Sequence, residues 1–252
     1  MRIASSKQKH RATTTKHRRR SSTVSGMSGA KVCLMPRLSL TEVLACAGLI
    51  RSICRVADDV LVVAPKAHAT SVRRLFDERN VRFRFVDDWA SLSDTVIGAA
   101  EEQGYELVPL ASYRDACPYT AMGLPWTVAS TQLKIQRFGD VERRLLAMVK
   151  EVVGETYVVV HDNAARRIRP HLVPPGMPVV RTDDPRFVAA TPFDWIQVID
   201  HAMQLHAIDS SYLLMADLLA LRPRKVCHAY ANDDAGLPFR AGVYRDVIVV
   251  WS

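Results

Sequence analysis

The chain has 252 residues, of which 48% are hydrophobic and 24% charged, so it carries ample apolar material for a buried core. No apolar run approaches the roughly 18 residues that a membrane-spanning helix needs. The five cysteines are scattered and form no CxxC pair, which argues against a disulfide scaffold or a zinc ribbon and favours the reducing cytoplasm. The net charge of +8 comes from residues 1–30, which hold eight Lys and Arg and no acid, because the other 26 Lys and Arg balance the 26 Asp and Glu.

Residues 1–30 are rich in Ser, Thr, Lys and Arg and have almost nothing apolar to bury. Such a segment cannot offset its ordering entropy, so a disordered basic tail is predicted. The run Lys16–Arg20 fits nuclear import or contact with a polyanion. The acid-free composition also resembles an organelle transit peptide, but it lacks an amphipathic apolar face. A solvated extension without a specific role is the plainest alternative.

From Lys31 onward, short apolar runs alternate with helical patterns, which is typical of a parallel sheet covered on both faces. Ser39 and Glu42 have the spacing of a capping box and predict a helix start. Pro109 favours an edge position for the fourth strand. The first half is predicted to contain strands at 32–35, 60–63, 81–86 and 107–110, and helices at 39–54, 67–79 and 89–103.

A second series of elements follows an irregular stretch at 112–138. Thr191, Pro192 and Asp194 predict a further helix start, with Thr as the cap and Pro in the first helical position. The predicted helices are 140–153, 192–206 and 212–221, and the predicted strands are 157–160, 179–180, 225–230 and 247–250. The sequence therefore predicts an α/β protein with two Rossmann-like lobes and parallel sheets, at 31–154 and 155–252, after the tail at 1–30.

Asp209, Ser210 and Ser211 lie where a predicted helix begins. A helix N-terminus exposes free N–H groups and a partial positive charge, so small hydroxyl residues there suit a phosphate. The alternative is that Asp209 or Ser210 only caps the helix. The chain has neither a GxGxxG nor a Walker A motif, which weakens dehydrogenase and P-loop interpretations.

His161 and Asp162 directly follow the strand at 157–160, and ligands in open α/β sheets collect beyond the carboxyl ends of strands. Arg166, Arg167 and Arg169 come shortly after, with side chains suited to bidentate hydrogen bonds with a diphosphate. A charge-balanced surface loop is the alternative. His206 falls on an apparent helical stripe and is interpreted as a semi-buried structural histidine, whereas His228 either faces the cleft or packs. No group of side chains has convincing metal-ligand spacing, so no metal is predicted.

Several stretches together resemble a group of GT-B-like glycosyltransferases of bacteria and large DNA viruses, which is distantly similar to fucosyltransferases and heptosyltransferases. In that group a strand ending in His-Asp is followed by an Arg, and an IDSS motif opens a helix that faces the donor nucleotide-sugar. The resemblance covers most of 31–252, and the IDSS motif with its flanks is its most specific part. The matching stretches are 157–162, 193–195, 205–211 and 225–230, with a looser acceptor-side match at 118–126, Arg137 and Glu142.

The resemblance implies a role for each matching residue. Ser210 and Ser211, beside Asp209, would contact the donor diphosphate. His161, Asp162 and Arg166 would line the cleft between an acceptor-side first lobe and a donor-side second lobe, and His228 would border it. The group usually has a glycine-rich turn after the first strand, where this chain reads Met35-Pro36-Arg37-Leu38.

These observations favour a metal-independent glycosyltransferase that moves a sugar from a nucleotide-sugar donor to a glycan or other hydroxyl acceptor and needs no further cofactor. Helix dipole, Ser hydroxyls and Arg would stabilise the departing diphosphate, and His161 or Asp162 would take the acceptor proton. One alternative is a non-catalytic nucleotide-sugar or glycan-binding descendant of the same fold, and another is a sugar-nucleotide epimerase. A third is polyanion binding through residues 1–30, with a nuclear rather than cytoplasmic location.

Overall fold

The computed structural model describes residues 23–36, 39–87, 94–110, 117–230 and 244–251. Residues 1–22 of the predicted tail lie outside the described residues. The predicted boundary at residue 30 is wrong, because a 3-10 turn at Val24–Met27 buries both of its apolar ends in the main core. The Gly29 amide then donates to the carbonyl oxygen of Val56 at 3.0 Å, which joins this segment to the end of the first long helix.

In the described part of the chain, the first sheet has four parallel strands in the order β3-β2-β1-β4. Its central strands are apolar along their length, as a sheet covered on both faces requires. The predicted fourth strand is confirmed and lies at the edge, where the missing N–H of Pro109 costs no ladder hydrogen bond. The strands are β1 Lys31–Met35, β2 Asp59–Pro65, β3 Val81–Val86 and β4 Glu106–Pro109.

The first helix of this half is α1, Leu40–Cys54. Its predicted N-cap at Ser39 is confirmed, because the Glu42 amide donates to the Ser39 hydroxyl at 3.2 Å. The helix predicted at 67–79 is much shorter. It consists of a 3-10 turn at Lys66–His68 and α2, Ala69–Arg73. Beyond it, the Arg51 guanidinium of α1 donates to the Leu75 carbonyl at 2.5 Å, so tertiary contacts replace the helical hydrogen bond there. The remaining helices of this half are α3 Asp94–Glu102, α4 Pro118–Ala121 and α5 Val128–Thr131.

The described residues form a second sheet of five parallel strands in the order β6-β5-β7-β8-β9. The helix predicted at 192–206 is wrong in its second half. A 3-10 turn at Pro192–Trp195 leads into α7, Ile196–His201, and the chain then enters the central strand β7. The strands are β5 Val158–His161, β6 Val179–Arg181, β7 Gln204–Ala207, β8 Arg224–Ala229 and β9 Val247–Trp251.

Two further helices pack across the boundary between the two halves. The charged helix α6, Gly139–Val153, forms as predicted and ends at Gly154, whose φ of +86° lies in the left-handed region that favours glycine. It packs against α7 and the Pro192–Trp195 turn. The apolar helix α8, Ser211–Leu218, packs against α1, and one hydrophobic core includes residues of both sheets. The predicted α/β class with two parallel sheets is therefore confirmed. The two halves of the chain that contain these sheets pack against each other.

No helix within the described ranges is both long and apolar enough to cross a bilayer.

Candidate functional site

A cavity of about 570 Å³ lies where the carboxyl ends of strands from both sheets come together. This volume is within the range of small-molecule sites, which span roughly 300–1,000 Å³. The first half contributes the start of α1 and the segment after β2, and the second half contributes the ends of β5 and β7 and the segment at 189–192. The lining residues that carry polar side chains are Ser39, Thr41, His68, Thr70, Ser71, His161, Asn163, Thr191, Asp209, Ser210, Ser211 and Tyr212.

The wall of this cavity includes the start of α8, which follows β7 after a short Ile208-Asp209-Ser210 turn. Ser210 is the N-cap, and its extended backbone is that of a capping residue. Its hydroxyl nevertheless makes no capping bond: the side chain is buried, and its Oγ has no hydrogen-bond partner. An N-cap hydroxyl normally satisfies a free amide of the first turn. Here the hydroxyl does not satisfy any of those amides.

The neighbours of Ser210 belong to the same wall. Ser211 is the first residue of α8 and lines the cavity. Asp209 also lines it, and its carboxylate accepts a hydrogen bond from the Tyr244 hydroxyl at 2.7 Å. The structure therefore brings all three residues of the predicted motif to one cavity, with Ser210 rather than Asp209 at the cap position.

His161, the last residue of β5, is held from two sides at the cavity. Its Nδ1 lies 2.6 Å from the Thr182 hydroxyl, and its ring stacks on Tyr212 with ring centroids 4.0 Å apart. Because Tyr212 is in the first turn of α8, the imidazole lies beside the helix start. Burial lowers the pKa of His161 to about 4, with partial compensation from the carboxylates of Asp162 and Asp183. The ring is therefore neutral at pH 7.

The side chain of Asp162 is buried and forms hydrogen bonds and ion pairs within the second half. Its carboxylate accepts from the Arg167 and Arg181 guanidinium groups at 2.9 and 2.5 Å and from the Ile168 amide at 2.8 Å. It is absent from the described residues that line the cavity. These contacts are those of a carboxylate that anchors the loop after β5. The catalytic role for Asp162 stays a prediction, and its geometry favours a structural role.

Two other predicted residues are absent from the described residues that line the cavity. The Arg166 amide donates to the Asn163 side chain at 2.9 Å, and of these two residues it is Asn163 that reaches the cavity. His228 is buried on β8, and its Nε2 lies 2.9 Å from Nδ1 of His206 on β7. His206 is therefore structural, as predicted, but on a strand rather than a helix. The donor contacts assigned to Arg166 and His228 stay predictions.

The sequence interpretation did not assign His68, Thr191 or Tyr212 to the site, and it missed Thr182, a partner of His161. His68 and Thr182 follow β2 and β6, and Tyr212 follows Ser211 directly. The rule that ligands gather beyond the carboxyl ends of parallel strands points to His68 and Thr182 as it does to His161. Thr191 was recognised only as a helix cap, yet its cap position also places it on the cavity wall.

The charge of the cavity is low. Of the described lining residues, only Asp209 is acidic and none is Lys or Arg. Within the described part of the chain, no group of three or more His, Cys, Asp or Glu side chains could hold a metal ion. Metal independence stays a prediction, and an anionic ligand would meet helix termini and hydroxyl groups rather than cationic side chains.

The chain matches no protein-family profile and no curated protein sequence. It is similar in structure to the glycosyl transferase family 9 protein from Veillonella parvula, with 10% sequence identity and a TM-score of 0.48 over 90% of this chain and 87% of that chain.

Proposed function

We propose that the protein is a glycosyltransferase that moves a sugar from a nucleotide-sugar donor to a hydroxyl acceptor, with the donor diphosphate at the start of α8. The observation that supports this most directly is Ser210, a residue of the cavity wall that is 8% exposed and whose buried hydroxyl has no hydrogen-bond partner. A buried hydroxyl without a partner costs free energy. An anion at this point would satisfy the hydroxyl and the free amides together.

The leaving group of such a reaction is a nucleoside diphosphate. Negative charge that develops on its β-phosphate is stabilised by the partial positive charge of the α8 N-terminus and by hydrogen bonds from Ser210 and Ser211. His161, beside this helix start, is positioned to donate a hydrogen bond to the same phosphate when its free nitrogen carries the proton. The absence of Lys and Arg from the described lining makes these neutral donors the main source of stabilisation.

The site also offers room for an acceptor. The wall contributed by the first half carries small polar side chains, including Ser39, Thr41 and Ser71, which suit the hydroxyl groups of a sugar. The donor side and the acceptor side therefore lie on opposite halves of the chain. This division agrees with the roles that the family resemblance implies for the two lobes.

Ser210→Ala is expected to weaken binding of UDP or GDP by about 10- to 100-fold, because a hydrogen bond to a charged group contributes about 1.5–3 kcal/mol. Isothermal calorimetry with the wild type and the variant measures the change. Thermal stability of the free protein is expected to stay nearly constant, since the hydroxyl has no partner to lose.

Ser52→Ala is the matched control, because the Ser52 hydroxyl donates to the Gly48 carbonyl within α1, away from the cavity. It should leave nucleotide affinity unchanged. A wild-type protein that binds no nucleoside diphosphate, or equal affinities for wild type and Ser210→Ala, contradicts the proposed donor site. Binding without hydrolysis or transfer of any nucleotide-sugar would instead identify a binding protein.

A further inference from the structure

The cavity contains two histidines that come from opposite halves of the chain. His161 ends β5 in the second half. His68 ends the 3-10 turn that follows β2 in the first half. A glycosyl transfer needs one group to stabilise the departing phosphate and another to take the proton of the acceptor hydroxyl. The surroundings of the two imidazoles distinguish these tasks.

His161 is suited to the phosphate side. The Thr182 hydroxyl engages its Nδ1, and Tyr212 of α8 covers one face of its ring. The imidazole is therefore fixed beside the helix start, where the donor phosphate is proposed to lie. A histidine whose pKa is near 4 is also a weak base at neutral pH, and a general base works best with a pKa near the working pH.

The surroundings of His68 differ from those of His161. Its ring is half-buried at the cavity, with no hydrogen-bond or ion-pair partner among the residues that the structure describes. Burial lowers the pKa of His68 from 6.5, so at pH 7 the ring is neutral, and neither of its nitrogens bonds to a residue that the structure describes. The nearby charged side chain of Lys66 is exposed and paired with Asp87 at 3.4 Å. His68 can therefore accept a proton from a molecule in the cavity.

We propose that His68 is the general base that removes the proton of the acceptor hydroxyl, an assignment that rests on the proposed glycosyltransferase function. The O–H bond of the acceptor breaks and its proton passes to a ring nitrogen of His68. The oxygen lone pair forms a bond to the anomeric carbon of the donor sugar. The bond from that carbon to the β-phosphate oxygen breaks, and its electron pair leaves on the nucleoside diphosphate at the start of α8. The proton on His68 is then released to water.

Hydrolysis of the donor tests this without knowledge of the acceptor, because water then takes the place of the acceptor hydroxyl. The substrate is the UDP- or GDP-sugar that the wild type hydrolyses fastest. His68→Ala is expected to lower the hydrolysis rate by about 10²- to 10⁴-fold, the usual range for loss of a general base. Added imidazole is expected to restore part of the rate, and affinity for the nucleoside diphosphate should stay within about twofold of wild type.

His171→Ala, at an exposed histidine of the second half outside the described cavity wall, is the control and should hydrolyse at the wild-type rate.

Hydrolysis by His68→Ala at the wild-type rate overturns the assignment, and so does a loss of rate that imidazole does not restore, since a purely structural defect cannot be rescued in this way. These outcomes are separable from failure of the proposed function. If the wild type binds no nucleoside diphosphate, or binds it without hydrolysis or transfer of any sugar, the glycosyltransferase itself is ruled out and the role of His68 with it. If Ser210→Ala weakens nucleotide binding while His68→Ala stays fully active, only the base is misassigned.

Discussion

Arg74→Met is expected to lower the free energy of unfolding by about 3–5 kcal/mol, because it leaves a buried carboxylate without its partner. The Arg74 side chain is 3% exposed and that of Asp194 is 1% exposed. Their ion pair has a length of 2.5 Å, and the same guanidinium nitrogen donates to the Thr191 hydroxyl at 2.6 Å. Urea unfolding at pH 7, followed by circular dichroism, measures the loss.

The double variant Arg74→Met/Asp194→Asn is the informative control. The second carboxylate oxygen of Asp194 accepts from the Thr191 amide at 2.9 Å, and an Asn amide oxygen can keep this bond. The double variant carries no buried charge and is expected to be more stable than Arg74→Met alone. An Arg186→Met variant, which breaks the exposed pair with Asp184, should destabilise the protein far less than Arg74→Met. A double variant less stable than Arg74→Met would show that the unpaired charge is not the source of the loss.

The Arg74–Asp194 pair also connects the two halves of the molecule at the cavity. Arg74 directly follows α2 in the first half, and its Nε donates to the Gln136 carbonyl at 3.0 Å. Asp194 stabilises the Thr191–Pro192 segment, which lines the cavity in the second half. A charged pair this deep is a poor source of net stability but fixes geometry. The cavity therefore depends on a contact between residues 120 positions apart, which local sequence patterns do not reveal.

The sheets were predictable because parallel strands covered on both faces are continuous apolar runs, and the strands at 60–63 and 157–160 are of this kind. Helix starts were predictable where the cap is encoded locally, as at Ser39 and Thr191. The strand Gln204–Ala207 was missed because Ile196, Ile199, Met203 and His206 follow a helical period by coincidence. Pairing with β5 and β8 decides the conformation of this segment, and those partners are distant in the sequence.

The candidate site was predictable only in part. The serines at 210–211 could be found because a helix start is a local feature, but a capping serine and a ligand-binding serine have the same sequence pattern. Only the structure distinguishes them, through the absence of a capping bond to Ser210. Asp162 looked equivalent to His161 in the sequence, yet its side chain is committed to Arg167 and Arg181. His68 was missed because the sequence placed it in the helix predicted at 67–79 rather than in the turn that follows the end of β2.

Acidification from pH 7 to pH 4 is expected to destabilise the protein through the buried pair His206 and His228. Nε2 of His206 lies 2.7 Å from the Gln204 amide oxygen and carries the proton, so its Nδ1 accepts from Nε2 of His228 at 2.9 Å. Protonation of His206 would place two N–H groups against each other. Burial, followed by the charges of His228 and Arg224, lowers the pKa of His206 to about 4, and burial lowers that of His228, although Asp162 partly opposes this.

The sign follows from the unfolded chain, in which a histidine has a pKa of about 6.5. Between pH 6.5 and about pH 4, His206 is protonated in the unfolded state but not in the folded state. The contribution of neutral His206 to the free energy of unfolding is therefore fully present above pH 6.5 and is lost as the pH falls through this window. His206 alone is expected to account for about 3 kcal/mol over the whole window, with a slope of at most about 1.4 kcal/mol per pH unit. His206→Asn, which retains an acceptor for His228, should reduce the pH slope of the free energy of unfolding measured in urea between pH 6.5 and 4.5. His171→Asn at an exposed site should leave the slope as it is, and an equal slope in wild type and His206→Asn would show that His206 does not titrate in this window.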